Sequence, residues 1–379
     1  MGGASAQSTS LVIAPDAPAS VTLANGGGVG GAYVNATNEA SLTFDVALPS
    51  TSLASDTVTL ALTDGSTTVT ATAAGIAGGG TRVFTGIDVS GLADGSITVS
   101  AVAVSDYGDS SSSTSITYTK DTVAPTLATL LMQDANTNGR VDRALAGFSE
   151  ALAAYSAGSG PWTLAGVPSG GSLGSVAVAG SSATLTISEG AGPLDTAVGS
   201  FTIALASSPA GVRDPAGNQA AFAATTPTDG AKPVPVSVTS ANNGATAGLI
   251  EAGDTFTVTF SETIATAVGP SAPITETDPS GAGSDRLTIA GLTAAAGVVT
   301  GSNAYILTDN TSASFSSSTI SKSGALVTAT VAGTCSGTCA VNITAGIGAL
   351  VFTPDPAVQD AAGNTAAGSF TTAATFRLF

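Results

Sequence analysis

The sequence predicts an all-β protein composed of β-sandwich modules in tandem, forming an elongated array. Short segments such as Ala40–Val46 and Ser96–Val104 alternate apolar and polar residues, which is typical of strands with one buried face. Turn-forming clusters separate these segments at the spacing of roughly eight to twelve residues that sandwich proteins show. The tripeptide Phe-Ser-Glu occurs at 148–150 and again at 260–262, which indicates repeated modules.

The composition is consistent with this fold class. Hydrophobic residues make up 43% of the 379 residues, whereas aromatic residues make up only 5%. Small and β-branched residues suit flat, half-buried strands, and the 47 Gly and 17 Pro supply turns. No long segment has the period of an amphipathic helix, so a βαβ fold is not expected.

We predict three modules, at residues 16–121, 122–231 and 232–379, preceded by a terminal segment, 1–15. Module 1 has predicted strands at 40–46, 57–62 and 96–104, and module 2 at 141–148, 175–178, 183–187 and 201–204. Module 3 has more residues between its Phe-Ser-Glu and its last acidic loop, 360 − 262 = 98 against 214 − 150 = 64 in module 2. We expect the additional Ser/Thr-rich segment, 308–323, to be a surface loop that could carry recognition.

Residues 8–15 are similar in pattern to the predicted last strand of module 1, Ser113 to Asp121. They are therefore predicted to be a terminal strand that lacks its own preceding module. Either the chain was cut from a longer array, or the strand docks on a neighbouring copy and builds a filament.

The chain is strongly acidic, with 26 acidic and nine basic residues and a net charge of −17. Such a chain repels phosphate backbones, so nucleic-acid binding is not expected. The acids could serve solubility alone, or divalent cations could neutralise those that cluster in loops. No apolar segment has the length of a membrane-spanning helix, so membrane insertion is not expected.

The sequence contains no histidine. This excludes Ser-His-Asp and Cys-His catalysis and His-ligated zinc. A glycosidase pair formed by Glu150 and Glu262 is not expected either, because the two occupy the same position in different modules and should lie far apart. We therefore predict a protein that is not an enzyme.

The two cysteines, Cys335 and Cys339, flank Ser-Gly-Thr between the apolar-alternating runs 325–331 and 340–347. We interpret them as a disulfide across a hairpin turn, which implies an oxidising compartment. A two-cysteine metal site is the alternative, but few other soft ligands lie nearby.

Several short motifs carry a resemblance to a known class of repeat. The segments Tyr33–Glu39, Val58–Gly65, Gly91–Gly95 and Lys120–Pro125 look like the bacterial Ig-like repeats of giant adhesins and biofilm proteins. Modules 2 and 3, with Phe-Ser-Glu early and Asp-x-Ala-Gly-Asn late, resemble the related Ig-like domains of adhesins and surface-layer proteins. The resemblance implies an Ig-like sandwich and an extracellular or cell-surface location. Module 1 departs from the pattern, because it has Ser105–Asp109 where the family has Asp-x-Ala-Gly-Asn.

One loop of module 2 has the residue pattern of a calcium-binding loop. Glycine stands at position 6, and oxygen-bearing side chains stand at positions 1, 3, 5 and 9: Asp134, Asn136, Asn138 and Asp142. This arrangement suits a hard cation such as calcium, although Leu145 replaces the acid expected at position 12. The alternative is a set of Asx turns without a metal ion, since Asp and Asn also stabilise turns.

Such a loop needs further acids, and the resemblance implies that they come from the junction between modules. Asp121 and Asp214 are on that basis the candidates that complete the site in module 2. The counterpart in module 3 is predicted to comprise five residues: Asn242, Asn243, Glu251, Asp254 and Asp360.

These features together predict a non-enzymatic extracellular rod of Ig-like modules, stiffened by calcium where one module meets the next. Its partners would be neighbouring copies or other components of a surface. One alternative is a self-assembling subunit of a surface layer, filament or virion. Another is a binding module that grips a glycan or protein receptor through module 3.

Overall fold

A computed structural model describes residues 14–266, 272–279, 285–301, 310–339 and 348–379. These residues form strands and two short 3-10 turns, Val29–Gly31 and Pro168–Gly170, and include no α-helix. The predicted all-β fold class is therefore confirmed. No helix in this part of the chain is long and apolar enough to cross a membrane.

Module 1 contains eight strands: β1 (Ser20–Leu23), β2 (Tyr33–Val34), β3 (Leu42–Leu48), β4 (Thr57–Thr63), β5 (Thr68–Ala74), β6 (Gly80–Ile87), β7 (Gly95–Val104) and β8 (Thr114–Lys120). They form two sheets with the orders β1-β3-β6 and β2-β8-β7-β4-β5. Along β3, every second side chain is buried, beginning with Leu42. This alternation is the one that the sequence predicts for 40–46.

Module 2 contains the next eight strands: β9 (Leu127–Gln133), β10 (Arg143–Phe148), β11 (Trp162–Ala165), β12 (Ser172–Ala179), β13 (Ser182–Ser188), β14 (Thr202–Leu205), β15 (Phe222–Thr225) and β16 (Thr228–Asp229). Their two sheets have the orders β12-β13-β10-β9-β16 and β11-β14-β15. The last strand, β16, pairs in parallel with β9, the first. This pairing brings the end of module 2 back alongside its own first strand.

Module 3 contains eleven strands: β17 (Pro235–Ala241), β18 (Thr255–Phe260), β19 (Ile274–Thr277), β20 (Arg286–Ile289), β21 (Val298–Val299), β22 (Ser312–Phe315), β23 (Thr319–Ser323), β24 (Leu326–Thr330), β25 (Ser336–Gly337), β26 (Val351–Phe352) and β27 (Phe370–Thr371). The sheets have the orders β17-β18-β24-β23 and β25-β22-β19-β20-β21-β26-β27.

Each module has a hydrophobic core of its own. Separate clusters of buried side chains lie within 21–101, 130–231 and 238–379. Because each cluster lies between two sheets of one module, the modules are β-sandwiches. The exact module boundaries at 15/16, 121/122 and 231/232 stay a prediction.

The structure differs from the expectation for the Ser/Thr-rich segment of module 3. Its described part forms two strands, β22 and β23, instead of a surface loop, and the side chains of Ala313, Phe315 and Ser318 are buried. Serine and threonine obscured the strand signal because they occupy alternate positions beside small apolar residues. Residues 308 and 309 lie outside the described residues.

The cysteines form the predicted disulfide between Cys335 and Cys339. Two of the three intervening residues, which the sequence places in a turn, belong to a strand. Ser336 and Gly337 form the short edge strand β25, which pairs with β22. The predicted partner run 340–347 lies outside the described residues, as does most of the predicted terminal strand 8–15.

We expect Leu60→Ala to destabilise module 1 alone, by about 2–5 kcal/mol. Leu60 is fully buried, and its core is separate from those of modules 2 and 3. Calorimetry of the full chain should show one transition at lower temperature and the other transitions unchanged.

Val83→Ala is the matched control, because Val83 lies in the same module with half of its surface exposed. It should change stability by no more than about 0.5 kcal/mol. A shift of every transition in Leu60→Ala would show that the cores are not independent.

Candidate functional site

Three carboxylates converge where module 1 meets module 2. Asp121 follows β8 in the linker, Glu150 follows β10, and Asp214 lies between β14 and β15. One carboxylate oxygen from each residue lies within 4.8 Å of the other two. Asp214 is buried, and the other two residues are half-buried. We call this set the first trio.

A second trio occupies the equivalent place between modules 2 and 3. It comprises Asp229, Glu262 and Asp360, and its oxygens also lie within 4.8 Å of one another. Glu262 and Asp360 are buried, and Asp229 is half-buried. Each trio therefore combines one Asp from the linker side with a Glu and an Asp of the following module.

The Asp-x-Ala-Gly-Asn loop explains how the linker is held at the first trio. The Asn218 side-chain amide donates to the Asp121 carbonyl at 2.8 Å and to Asp214 Oδ2 at 2.8 Å. The Asn218 backbone N–H donates to Asp214 Oδ1 at 2.9 Å. Gly217 has a φ of 93°, a left-handed conformation that favours glycine. One asparagine thus fixes both the linker backbone and a trio carboxylate.

Asn364 makes the same contacts at the second trio. Its side-chain amide donates to Asp360 Oδ2 at 2.8 Å and to the Asp229 carbonyl at 3.4 Å. Its backbone N–H donates to Asp360 Oδ1 at 2.8 Å. The repeated motif therefore encodes a repeated geometry.

The Phe-Ser-Glu motif supplies the other side of each trio. Phe148 and Phe260 are buried in the cores of their modules. Ser149 and Thr126 exchange two hydrogen bonds, Ser149 N to Thr126 O at 2.9 Å and Thr126 N to Ser149 Oγ at 3.0 Å. Ser261 and Val234 exchange the equivalent bonds at 2.8 and 2.9 Å. The serine thus connects the end of its strand to Thr126 or Val234, near the start of the same module. The glutamate that follows the serine belongs to the trio.

Module 1 contacts the same loop of module 2 directly. Asn35 Nδ2 donates to Ala216 O at 2.6 Å, and the Ala36 N–H donates to Asn218 Oδ1 at 3.2 Å. Gly28 has a φ of 69°, and a Cβ there would lie 2.3 Å from the Pro215 carbonyl oxygen. Only glycine permits this close approach of the two modules.

At the second junction, module 2 contacts the Phe-Ser-Glu motif of module 3. Thr196 Oγ1 donates to Glu262 Oε1 at 2.7 Å and lies 2.6 Å from Ser261 Oγ. Thr196 is itself fully buried. Hydrogen bonds from a neighbouring module therefore help to orient the glutamate of the second trio.

Two carboxyl groups of the first trio have raised pKa values. Burial raises the pKa of Asp121, and the negative charge of Asp214 adds to the effect. Burial also raises the pKa of Glu150, with further contributions from Asp121 and Asp214. The first trio thus places three acidic side chains close together at a site where burial limits their contact with water.

The effect is larger at the second trio. Burial raises the pKa of Glu262 to about 8, and the charges of Asp229 and Asp360 add to it. Burial and the charge of Asp360 raise the pKa of Asp229. Within the described part of the chain, the ion pairs join Lys120 to Glu39 and Arg143 to Asp142, so no basic side chain forms an ion pair with a trio carboxylate.

The predicted loop in module 2 does not join Asp121 and Asp214. Asp134 directly follows β9, whereas the first trio lies at the start of that strand. Seven residues of strand separate the two ends, about 20 Å at the usual rise per residue. A Cβ at Gly368 of module 3 would lie 3.2 Å from Thr137 O, so the loop faces module 3.

The side-chain oxygens of this loop accept hydrogen bonds from its own backbone. Asp134 accepts from the N–H groups of Asn138 and Gly139, at 3.3 and 2.8 Å. Asn138 Oδ1 accepts from Arg140 N, and Asp142 Oδ1 accepts from Ala135 N. These are the contacts of the Asx-turn interpretation. Cation binding by the loop itself stays a prediction.

Four of the five candidates in module 3 are likewise distant from the trio. Asn242, Asn243, Glu251 and Asp254 lie beyond the far end of β17, whereas Asp360 belongs to the second trio. Asp254 is fully buried and accepts hydrogen bonds from the N–H groups of Asn243, Gly244 and Glu251. It therefore stabilises the loop around it.

Sequence reasoning missed three members of the trios: Glu150, Glu262 and Asp229. The two glutamates do occupy the same position in different modules, as the sequence predicts, and each also joins the trio of its own junction. The useful signal was the recurrence of a linker Asp, Phe-Ser-Glu and Asp-x-Ala-Gly-Asn together, in that order, in modules 2 and 3.

No family model and no curated protein matches the chain. Among solved structures, the chain is similar to one from work on the host cell surface retention of a 1.5-MDa bacterial ice-binding adhesin. The sequence identity is 15% and the TM-score is 0.30, and the match covers 96% of this chain and 100% of that one. It is also similar to a tetra-tandem repeat from the extending region of a large adhesion protein, with 16% identity, a TM-score of 0.24, and coverage of 91% and 73%. At these TM-scores, no function follows from either similarity.

We expect the metal-free protein to lose stability as the pH rises from about 4.5 to about 8. Because the pKa of Glu262 is raised from 4.5 to about 8 in the folded state, the folded protein retains a proton that the unfolded chain releases. The stabilising contribution is therefore complete below pH 4.5 and lost as the pH passes about 8.

Denaturant unfolding in chelator at pH 5 and pH 8 tests this expectation. Glu262→Gln should reduce the difference between the two pH values, and Asp106→Asn, at an exposed position, should leave it unchanged. An equal pH dependence in wild type and Glu262→Gln would contradict the assignment.

Asn218→Ala should loosen the junction between modules 1 and 2. The change removes the donor to the Asp121 carbonyl and the acceptor for the Ala36 N–H, at a cost of about 1–3 kcal/mol. Hydrogen exchange should become faster at the Ala36 amide, which loses its acceptor. Asn364→Ala is the matched control at the other junction and should leave exchange at Ala36 unchanged. Unaltered exchange at Ala36 in Asn218→Ala would refute the role of the asparagine.

Proposed function

We propose that this chain is a non-enzymatic extracellular protein, structural or adhesive, whose Ig-like modules are joined by divalent cations. Calcium is the cation that we assign to the two trios. The observation that carries the proposal is the repeated convergence of one carboxylate at the end of a module with two carboxylates of the next module.

The donor set of the trios fits a hard cation. Each site offers carboxylate oxygens and no nitrogen or sulfur ligand, and calcium and magnesium prefer oxygen. Two oxygens that bind one calcium ion at about 2.4 Å lie at most about 4.8 Å apart, which agrees with the spacing in both trios. Magnesium requires a near-ideal octahedral geometry and usually keeps several of its waters, whereas calcium accepts irregular sets of carboxylate oxygens, so we assign calcium.

The unfavourable electrostatics of the metal-free trios supports the same assignment. Three carboxylates that repel one another at short distance gain most from a divalent positive charge. The asparagine and serine contacts of the motifs hold the carboxylates in place without supplying any positive charge. The protein residues thus bind and orient, and a calcium ion would supply the neutralising charge.

Cation binding would make the linker rigid. Asp121 belongs to the linker, whereas Glu150 and Asp214 belong to module 2. An ion that bridges them fixes the direction in which module 2 leaves module 1, and the second trio would do the same for module 3. The protein would then act mechanically, by holding a surface or a binding tip at a distance.

The extracellular assignment rests on the disulfide and agrees with the calcium sites that we propose. The disulfide between Cys335 and Cys339 favours an oxidising compartment. Extracellular modules also bind calcium in the range of about 10⁻⁴ to 10⁻³ M, a concentration that the cytosol does not provide. A non-enzymatic role agrees with the absence of histidine and with the structural use of the paired carboxylates.

We expect calcium to make the wild-type chain stiffer and chelator to make it more flexible. Small-angle scattering with 5 mM calcium and with chelator measures this difference. Neutralising the first trio by Glu150→Gln with Asp214→Asn should abolish the response of one junction, and Glu262→Gln with Asp360→Asn that of the other.

Asp106→Asn is the control for loss of a negative charge, and it should behave as wild type. Superimposable scattering profiles with calcium and with chelator would refute the stiffening role. A trio variant that binds as many calcium ions as the wild type would refute the assignment of that trio as a site.

A further inference from the structure

A third group of acidic side chains lies inside module 3, away from both junctions. Glu276 is in β19, and Asp278 follows directly after that strand. Their exposed fractions are only 1% and 2%, although both are charged residue types. Charged side chains are almost never buried to this extent unless they are paired.

The strand register brings a third carboxylate to the same face. In the pairing of β19 with β20, Thr277 is opposite Arg286 and Glu276 is opposite Leu287. Continuing this register by one residue places Asp278 opposite Asp285, which is fully buried. Directly opposite residues have Cβ atoms about 5 Å apart, and diagonal ones such as Glu276 and Asp285 about 7 Å apart. The three carboxyl groups are therefore on one face, but their oxygens are more widely spaced than those of the trios, and a bound ion would draw the side chains together.

The carboxylates of Glu276 and Asp278 have no hydrogen-bond partner. Both oxygens of each side chain are buried and accept or donate no hydrogen bond. Other buried acids of this protein differ in this respect, since Asp214 and Asp254 each accept backbone N–H groups. A protonated carboxyl group would also require an acceptor for its proton, and neither residue has one.

Arg286 does not neutralise the group. It alternates with Asp285 along β20, so its side chain leaves from the opposite face of the sheet, and its Nη1 donates to the Ala296 carbonyl at 2.9 Å. Burial and the negative charge of Asp285 raise the pKa of Glu276 well above its ordinary value. The buried face of β19 and β20 therefore lacks a compensating positive charge from the adjacent arginine.

We propose that Glu276, Asp278 and Asp285 bind a divalent cation, calcium by chemical class, within the sandwich of module 3. The ligands are oxygens only, and two of them are buried without any other partner, which is the situation that a bound hard cation resolves. The ion would connect β19 to β20 near the middle of the seven-stranded sheet. Its role is the internal stability of module 3, in contrast to the linking role of the trios.

The number of bound calcium ions separates this proposal from that for the junctions. Elemental analysis of the full chain, dialysed against 1 mM calcium, should give three ions for the wild type and two for Glu276→Gln with Asp278→Asn. Each trio variant should also lose one ion and keep the ion of module 3. Asp355→Asn, a half-buried acid of the same module that accepts the Ala357 N–H, is the control and should keep three.

Two ions in the wild type, both retained in the Glu276/Asp278 variant, would overturn the inference and leave the junction sites intact. A single ion, lost only in that variant, would instead overturn the junction proposal. Calcium-soaked crystals of the wild type provide a test that does not depend on the folding of a variant. An anomalous-scattering peak between Glu276 and Asp285 is expected, and its absence when peaks are present at the trios would also overturn the inference.

Discussion

The arrangement of the modules depends on the close approach of like charges at each junction. A carboxylate at the end of one module, Asp121 or Asp229, lies against two carboxylates of the next module, with oxygens within 4.8 Å, and burial limits their contact with water. No side-chain cation forms an ion pair with them in the described part of the protein. Left uncompensated, this arrangement opposes the docking of one module on the next. With the divalent cation that we propose between the carboxylates, the same arrangement would hold the modules together.

The two short motifs contribute different residues to each junction. In Phe-Ser-Glu, the phenylalanine anchors the strand end in the core, the serine exchanges hydrogen bonds with the linker exit, and the glutamate joins the trio. In Asp-x-Ala-Gly-Asn, the asparagine holds the linker carbonyl and its own aspartate together. Because the structural contacts come from neutral groups, the carboxylates are preorganised without being neutralised.

Module 3 also contains a disulfide and a group of buried acidic side chains within its larger sheet. Its larger sheet contains seven strands, with the disulfide-flanked β25 at one edge. The acidic group at Glu276 and Asp278 lies on the buried face of a central strand of that sheet. The insertion that lengthens this module therefore contributes to its sandwich and is more than a surface loop.

The sequence by itself determined the all-β fold class, the repetition of modules and the disulfide. It also indicated Asp121, Asp214 and Asp360 as candidate ligands. These conclusions were accessible because strand periodicity and repeated motifs are local properties of the chain. Only the tertiary structure decided which acids converge. Strand β9 carries Asp134 about 20 Å from the first trio, while the parallel return of β16 brings Asp229 to the second. Those outcomes depend on strand direction, length and register across modules, none of which the spacing of acidic residues along the chain encodes.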